Sequence, residues 1–256
     1  MDLTSIIKKI KEKKELEGIS DLVIKGNLLK YKKKHSVNIE KLSNQDLKII
    51  IKDIRSELRF FVGQYQFKVK GRRKILDRDN SDELLKTHSS TSERLDFYPS
   101  LKKIISDLKI KSILDLGCGL NPLALSQKNI EYLASDINEK ELSIIQEYFK
   151  KNNINGKTFV YDLRNISNDL PKTDLTILFK VLDVVSKNDR KLSEKIILNI
   201  SSRYLLVSFS IKKISGKPMN FPERRWFEKI LLRNKLRYKK FYSENEVYYL
   251  IFLNKS

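Results

Sequence analysis

From residue 111 onward, short apolar segments with β-strand character alternate with amphipathic segments of helical periodicity. The strand-like segments span residues 113–116, 130–135, 158–161, 175–179, 204–209 and 247–253. Two of the segments between them, residues 139–150 and 189–200, have the length and the pattern of helices. Strands that alternate with helices in this way form a parallel sheet whose two faces are covered by helices. The alternation therefore predicts an α/β fold of the Rossmann-like kind.

The residues before this region show a helical pattern instead. Apolar residues recur at helical spacing at Leu3, Ile6, Ile7 and Ile10, and again at Leu47, Ile50, Ile51, Ile54 and Leu58. Asn44 is the predicted N-cap of the second helix, and Gly63 is its predicted end. Further short helices are predicted from Ser81 and from Leu101. We expect a helical, basic N-terminal domain over residues 1–105 and a Rossmann-like domain over residues 106–256.

The chain is strongly basic. Its 256 residues include 52 Lys and Arg against 32 Asp and Glu, which gives a formal net charge of +20. The excess is +8 in residues 1–100, +4 in residues 101–204 and +8 in residues 205–256. A charge of this size predicts a polyanionic partner, and both a nucleic-acid backbone and an anionic membrane surface qualify.

Cysteine and histidine are scarce. Cys118 is the single cysteine, and the two histidines, His35 and His88, are far apart in the sequence. These counts exclude a disulfide within the chain and a multi-cysteine metal site. The N-terminal segment is too charged for a signal peptide, and no run reaches the roughly 18 apolar residues of a membrane span. We expect a cytoplasmic protein with no bound metal and no membrane partner.

The segment 112–125, SILDLGCGLNPLAL, places two of the chain's eight glycines directly after a predicted strand. Gly117 and Gly119 would let the backbone take positive φ and approach a ligand closely. Ligands of open α/β sheets bind at this carboxyl edge of the strands. A dinucleotide-binding fingerprint would continue to a third glycine, whereas this chain has Pro122, which is tolerated early in a helix. The segment therefore disfavours a dinucleotide among the nucleoside cofactors.

Two acidic residues end the next two predicted strands. Asp136 follows the segment IEYLAS, and Asp162 follows FVY. Asp136 would accept hydrogen bonds from both ribose hydroxyls of an adenosine group, and Asp162 would accept one from an adenine amino group. Each acid alone is equally well explained as a helix N-cap or a loop residue. A glycine loop followed by these two acids in order fits S-adenosylmethionine better than a nicotinamide dinucleotide.

With these motifs identified, the sequence resembles the aminoglycoside-resistance 16S rRNA (guanine-N7) methyltransferases. The matching blocks are LLKTHSSTSERL (84–95), ILDLGCGLNPLAL (113–125), SDIN (135–138), YDLRN (161–165), ILFKVLDVVSK (177–187) and the segment 206–231. The short segment VGQY (62–65) is similar to a turn of the same family. Gly117 stands where these enzymes commonly have alanine, which indicates a distant member of the family.

The resemblance implies a Rossmann-like S-adenosylmethionine-dependent methyltransferase fold with an α-helical N-terminal domain that docks on the small ribosomal subunit. It also implies which residues hold the cofactor. These are Tyr65, His88, Ser89, Ser90, Arg94, Gly117, Gly119, Asp136, Asp162, Leu163, Phe179 and Val181. Within this set, Arg94 would pair with the methionine carboxylate.

The expected chemistry needs no general base. Guanine N7 carries a lone pair at neutral pH, so methyl transfer to N7 requires alignment and no prior removal of a proton. The target guanine would have to leave its stack in the rRNA to reach the cofactor. We therefore predict no acid–base catalytic residue, only residues that position the two substrates.

Several basic and aromatic residues are candidates for contact with the RNA. Phe209 and Trp226 are predicted to stack on the flipped base, although ordinary core packing explains an aromatic cluster equally well. Basic residues beside them and in the N-terminal clusters are predicted to contact phosphates. They are Lys32, Lys33, Lys34, Arg72, Arg73, Lys212, Lys213 and Lys217. Lys180, at the end of a predicted strand, is predicted to contact the substrate.

The resulting hypothesis is an enzyme that methylates guanine N7 in the decoding region (helix 44) of 16S rRNA in the 30S subunit and confers aminoglycoside resistance. We expect it to act as a monomer. The alternatives are a methyltransferase for a decoding-site adenine N1 or another RNA, and a non-catalytic RNA-binding scaffold. A small-molecule methyltransferase is disfavoured because it has no need of basic flanks on both sides.

Overall fold

A computed structural model of the protein describes residues 2–37, 43–62, 71–166, 170–186, 189–213, 216–220 and 222–253. Its centre is a seven-stranded sheet in the order β3-β2-β1-β4-β5-β7-β6. The strands are β1 (Ser112–Leu116), β2 (Glu131–Asp136), β3 (Gly156–Val160), β4 (Thr173–Phe179), β5 (Ser202–Ser210), β6 (Arg237–Tyr242) and β7 (Glu246–Phe252). Neighbouring strands from β3 through β5 are parallel, and β7 is antiparallel to both of its neighbours.

Twelve helices are described around this sheet. They are α1 (Leu3–Lys11), α2 (Asp21–His35), α3 (Asn44–Val62), α4 (Arg72–Asp77), α5 (Ser81–Leu85), α6 (Ser89–Ser92), α7 (Tyr98–Asp107), α8 (Pro122–Leu125), α9 (Glu139–Lys151), α10 (Leu182–Val185), α11 (Arg190–Asn199) and α12 (Arg225–Arg233). Among the described residues, no helix combines the length and the apolar composition that crossing a membrane requires.

The strand order reverses between β1 and β4, and this reversal opens a crevice. The chain leaves β1 toward β2 on one side, and β4 pairs on the other side of β1. In open parallel sheets, ligands bind at the carboxyl ends of the strands that flank such a reversal. The loops after β1, β2 and β4 therefore surround the expected binding site.

Apolar side chains cover both faces of the sheet, as a doubly wound sheet requires. One cluster joins Ile113, Ile177 and Leu206 of the strands to Leu101 of α7 and Ile145 of α9. The other cluster packs the opposite face of β1, β4, β5 and β7 against α11 and α12. The core thus fixes the positions from which the strand ends project.

Helices α1, α2 and α3 form a separate cluster that contains Ile6, Ile24, Ile50 and Leu58. This helical region touches the sheet at the loop after β2. Ser20 N–H donates to the Ile137 carbonyl at 2.9 Å, and Glu139 N–H donates to the Gly18 carbonyl at 2.8 Å. The helical region therefore packs directly beside the carboxyl edge of the sheet.

The structure confirms the predicted α/β class and all six predicted strands, with shifted ends. The pattern missed β6, because the segment RYKKFY is largely exposed at the sheet edge and lacks an apolar face. The pattern also missed α2. Lys32, Lys33 and Lys34 lie in the last turn of this helix. Asn44 is the first residue of α3 and is not its N-cap. Ser43 caps the helix instead, because its hydroxyl accepts a hydrogen bond from Asp46 N–H. Gly63 lies outside the described residues.

The sequence pattern changes near residue 105 because the strands begin there. The hydrophobic core does not divide at this position. Leu76, Leu84, Tyr98 and Leu101, all before residue 105, belong to the same apolar cluster as the strands. The helical region that packs by itself comprises residues up to Val62. Separate domains with a boundary at residue 105 stay a prediction, and the packing favours an earlier boundary.

We expect Leu101→Ala to lower the free energy of unfolding by about 2–5 kcal/mol, because Leu101 is fully buried between α7 and the sheet. Leu232→Ala is the control, since Leu232 is 79% exposed and such a change stays within about 0.5 kcal/mol. Chemical denaturation followed by circular dichroism measures both. Equal stability of the two variants would show that α7 is not part of the sheet's core.

Candidate active site

A cleft of about 820 Å³, partly open to solvent, lies at the carboxyl edge of the sheet. Its walls come from the loops after β1, β2, β3 and β4, from the segment 88–91, and from the end of α3. The site is therefore assembled from six separate parts of the sequence. The helical region contributes Phe61 and Val62 to it.

The glycine loop after β1 forms the floor of the cleft. Gly117 and Gly119 have φ values of 69° and 50°, in the left-handed region. A Cβ on Gly117 would lie 2.7 Å from Val181 Cγ2, and a Cβ on Gly119 would lie 2.9 Å from His88 Cε1. Both the backbone conformation and the close neighbours therefore require glycine. The N–H groups of residues 117 and 118 both donate to the Ser135 carbonyl, which ties this loop to β2.

Asp136, at the end of β2, faces the cleft with spare acceptor capacity. Its Oδ2 accepts from Gly119 N–H at 3.1 Å, and its Oδ1 accepts from Asn138 N–H at 3.0 Å. Ile137 N–H also donates to this carboxylate, and since an ionised carboxylate has about four acceptor positions, about one remains for a further donor. Burial raises the pKa of Asp136 to about 7, and the nearby Glu141 carboxylate adds to this rise.

Asp162 also lines the cleft, but its acceptor positions are occupied. Oδ1 accepts from the backbone N–H and the Nε of Arg164, and Oδ2 accepts from Arg164 Nη2 and Asn165 Nδ2. Asp162 is thus the N-cap of a short 3-10 turn, Leu163–Asn165. In this structure the carboxylate is bonded within its own turn, and its contact with an adenine amino group stays a prediction. Leu163, which is buried, presents an apolar side chain to the cleft beside it.

The segment from His88 to Ser90 forms another wall. His88 and Ser90 line the cleft, whereas Ser89 is buried and is not among the lining residues. Burial lowers the pKa of His88 to about 3, and the positive charges of Arg72 and Arg94 contribute. The imidazole is therefore neutral at physiological pH and is a weak base.

Arg94 lies one layer behind the cleft wall. Its guanidinium donates to both carboxylate oxygens of Glu246 at 3.0 and 3.1 Å, to Asn121 Oδ1 at 2.6 Å and to Ser90 Oγ at 2.9 Å. Arg94 and Glu246 are both buried. In this structure the guanidinium is held by protein partners, and its pairing with the methionine carboxylate stays a prediction.

The charges of this buried pair stabilise each other. Burial would raise the pKa of Glu246, but Arg94 and Lys180 outweigh it and hold that pKa below its ordinary value. Burial would lower the pKa of Arg94, and the Glu246 carboxylate reverses this effect. Both groups are therefore ionised in the folded protein.

Phe179, Lys180 and Val181 continue from β4 along the cleft. Lys180 has a φ of 58°, which is unusual for a residue other than glycine. Its Nζ pairs with Glu93 and lies 3.4 Å from Glu246 Oε1. Such strained residues cluster at functional sites, and this geometry holds the lysine head at the edge of the cleft.

Two predicted RNA contacts are buried structural residues instead. Arg72 is 2% exposed and is held by Glu141 Oε1 at 2.9 Å and by the side chain and carbonyl of Thr87. Phe209 is fully buried and packs edge-on against Phe227. Neither side chain reaches the surface, so the predictions of phosphate contact by Arg72 and base stacking by Phe209 are wrong.

The other predicted RNA contacts are accessible. Trp226 is half-buried, and the guanidinium of Arg190 lies 5.8 Å from its ring centroid. The exposed lysines are Lys32, Lys33, Lys34, Lys213 and Lys217. Arg73 is exposed and pairs with Glu147, and Lys212 pairs with Glu244. Tyr65 lies outside the described residues.

Several cleft residues were not predicted from the sequence. They are Phe61, Val62, Thr91, Cys118, Asn121, Ile137, Glu141, Tyr161, Arg164, Val184 and Val185. All of them except Phe61 and Glu141 lie within the segments that resemble the family, and this position was the signal available for them. Within the part of the chain that the structure describes, no cluster of three or more His, Cys, Asp or Glu side chains could hold a metal ion.

The sheet order and the glycine loop at the β1–β4 crevice define a Rossmann-like methyltransferase fold, and solved structures share it. RmtB, a 16S rRNA methylase, superposes with a TM-score of 0.80 at 22% identity and covers 99% of both chains. RmtF in complex with S-adenosyl-L-homocysteine superposes with a TM-score of 0.80 at 20% identity, over 98% of this chain and 99% of that one. Both likenesses include the helical region.

The sequence comparison is more specific. Residues 78–232 match the family described as ribosomal RNA methyltransferase (FmrO), and the chain belongs to this family. A 16S rRNA (guanine(1405)-N(7))-methyltransferase of Micromonospora echinospora is 30% identical over 52% of this chain and 50% of its own length. The enzyme of the same name from Proteus mirabilis is 26% identical over 66% of this chain and 64% of its own. The chain thus spans half to two thirds of these curated relatives. The predicted family is confirmed.

We expect Glu246→Gln to lower the free energy of unfolding by about 3 kcal/mol at pH 7, because it leaves Arg94 charged and unpaired in the interior. Glu194→Gln removes a surface partner of Arg233 and is the control, with an expected loss below about 1 kcal/mol. Since the pKa of Glu246 is lowered on folding, its contribution is present above its ordinary pKa and is lost as the pH falls further. Urea denaturation at pH 7 distinguishes the variants, and equal losses would contradict the buried pair.

Proposed function

We propose that this protein is an S-adenosylmethionine-dependent methyltransferase that modifies guanine N7 in the decoding region of 16S rRNA within the 30S subunit. The observation that carries the proposal is the family match, because residues 78–232 include every cleft wall except the end of α3. The proposal also covers action as a monomer in the cytoplasm and aminoglycoside resistance in a susceptible host.

The residues of the cleft fit the proposed cofactor. Gly117 and Gly119 let Val181 and His88, which both line the cleft, pack directly against the loop backbone. The remaining acceptor capacity of Asp136 suits a ribose hydroxyl. Apolar Leu163, Phe179 and Val181 lie in the same cleft and suit a purine and a thioether chain.

When bound, S-adenosylmethionine supplies an electrophilic methyl group on a sulfonium. The chain's own residues orient the reactants, as alignment is sufficient for a nucleophile with a free lone pair. His88, with a pKa of about 3, does not need to take a proton, because guanine N7 carries none at neutral pH. Lys180 at the cleft edge is placed to contact the incoming nucleotide, and its fixed backbone keeps its position.

RNA recognition is assigned to the exposed basic side chains. Lys213 and Lys217 follow β5, whose end lies beside that of β4, and Lys32, Lys33 and Lys34 end α2 in the helical region. Folded RNA is bound largely through its shape and its phosphates. Contacts from both places would hold the subunit while the target base leaves its stack and enters the cleft.

The first test is transfer of tritiated methyl from S-adenosylmethionine to 30S subunits, free 16S rRNA and tRNA, followed by mapping of the modified base. We expect N7-methylguanine in the decoding region of 30S subunits, and little transfer to the other two. Asp136→Ala is the control variant, with loss of transfer. Methyladenine would move the target to adenine N1. Absence of both transfer and cofactor binding would leave the RNA-binding scaffold.

The affinity for the cofactor product S-adenosylhomocysteine should rise with pH. Ribose hydroxyls donate to the ionised form of Asp136, whose pKa is about 7 in the free protein, so the ligand must displace a proton below that pH. We expect about tenfold tighter binding at pH 8 than at pH 6, measured by isothermal titration calorimetry. Asp136→Asn should bind weakly with a flat pH profile. A flat profile in the unmodified protein would contradict this assignment.

A further inference from the structure

Arg164 connects two parts of the molecule that both form walls of the cleft. Two of its guanidinium nitrogens, Nε and Nη2, bind the carboxylate of Asp162 at 2.8 Å each, within the turn after β3. The third nitrogen, Nη1, donates to Asn27 Oδ1 of α2 and to Glu57 Oε1 of α3, at 3.0 Å each. One side chain thus bridges the sheet to two helices of the helical region.

The bridge is close-packed as well as charged. The Arg164 guanidinium lies 4.3 Å from the ring centroid of Phe61, one turn after Glu57 on α3. Its side chain is 8% exposed, as is expected of an arginine buried between partners. Stacking on an aromatic face fixes the plane of a guanidinium, so both the position and the orientation of Phe61 are linked to Arg164.

Phe61 and Val62, at the end of α3, line the cleft themselves. On the other side of the bridge, Asp162 and Leu163 line it too. Arg164 therefore contacts both of these walls directly. Glu57, in contrast, is half-exposed and is not a lining residue.

The hydrogen bonds between Gly18–Ser20 and the loop after β2 hold a different part of the cleft. They fix the backbone of residues 137–139 next to Asp136. They involve the segment before α2 and do not reach α3. Arg164 consequently supplies a separate connection, on the side of the turn that follows β3.

We propose that Arg164 is a positioning residue that couples the helical region to the cofactor cleft. It keeps the α3 wall closed against the turn at 162–165, so that cofactor binding and the placement of α3 stabilise each other. The inference rests on the proposed function, because the bound ligand is taken to be the methyl donor or its product. Coupling of this kind is reciprocal, so the ligand must also order the end of α3.

The test measures the affinity for S-adenosylhomocysteine by calorimetry in the unmodified protein and in the variants Arg164→Ala and Glu57→Gln. We expect Arg164→Ala to weaken binding about tenfold and Glu57→Gln about threefold, the range of effects typical of residues that transmit coupling. Glu57→Gln is informative because Glu57 does not line the cleft. The double variant should be no weaker than Arg164→Ala, since both changes break the same bridge.

Arg59→Ala is the matched control. Arg59 lies on α3 two residues from Glu57, and it pairs with Glu15 inside the helical region. Arg59→Ala removes a comparable ion pair without changing the turn at 162–165, so the affinity for S-adenosylhomocysteine should be unchanged. A general destabilisation of α3 would weaken binding in Arg59→Ala and Glu57→Gln equally, and this result would overturn the inference.

Hydrogen exchange supplies a second readout. The ligand should slow amide exchange at residues 58–62 of α3 in the unmodified protein and in Arg59→Ala, but not in Arg164→Ala. If Arg164→Ala does not fold, Glu57→Gln carries the same comparison. Normal binding by the unmodified protein with no change in any Arg164 or Glu57 variant would overturn this inference alone. Failure of the unmodified protein to bind the ligand would overturn the proposed function.

Discussion

The buried ion pair between Arg94 and Glu246 organises the interior of this protein. The two residues are 152 positions apart in the sequence, and the pair joins the segment before α7 to the first residue of β7. Asn121 of the glycine loop and Lys180 after β4 contact the same two side chains. Removal of either charge would leave the other buried and unpaired, which is strongly destabilising. The glycine loop, the segment that contains Ser90 and the segment after β4 therefore depend on one ion pair.

Ion pairing of this kind also explains why the cleft contains few unpaired charges. Arg94, Glu246, Arg72 and Glu141 neutralise each other in pairs at or behind its walls. Asp136 keeps unused acceptor capacity. Its pKa is raised because the hydrogen bonds to its carboxylate offset the effect of burial only in part. Asp162 differs from Asp136, because its oxygens accept from donors of its own turn.

The sequence was sufficient to predict the α/β class, the strands that carry an apolar pattern, and the loops that follow them. Gly117, Gly119 and Asp136 were predictable because a glycine loop and an acid at a strand end have local signatures. Partners distant in sequence have none. Nothing local distinguishes Arg72, buried against Glu141, from the exposed Arg73 beside it. For Phe209, at the end of a predicted strand, core packing and base stacking were both compatible with the sequence. The sequence likewise could not show that α3 completes the cleft.

The backbone bridge between Gly18–Ser20 and the loop after β2 has a consequence for how the enzyme can be divided. The loop that presents Asp136 is held on one side by β2 and on the other by a segment from the helical region. Cutting the chain to leave only the sheet and its own helices would expose two backbone groups of that loop and free its geometry. Joining the sheet to a different helical region would therefore require a replacement for the backbone contacts that Gly18–Ser20 make with this loop.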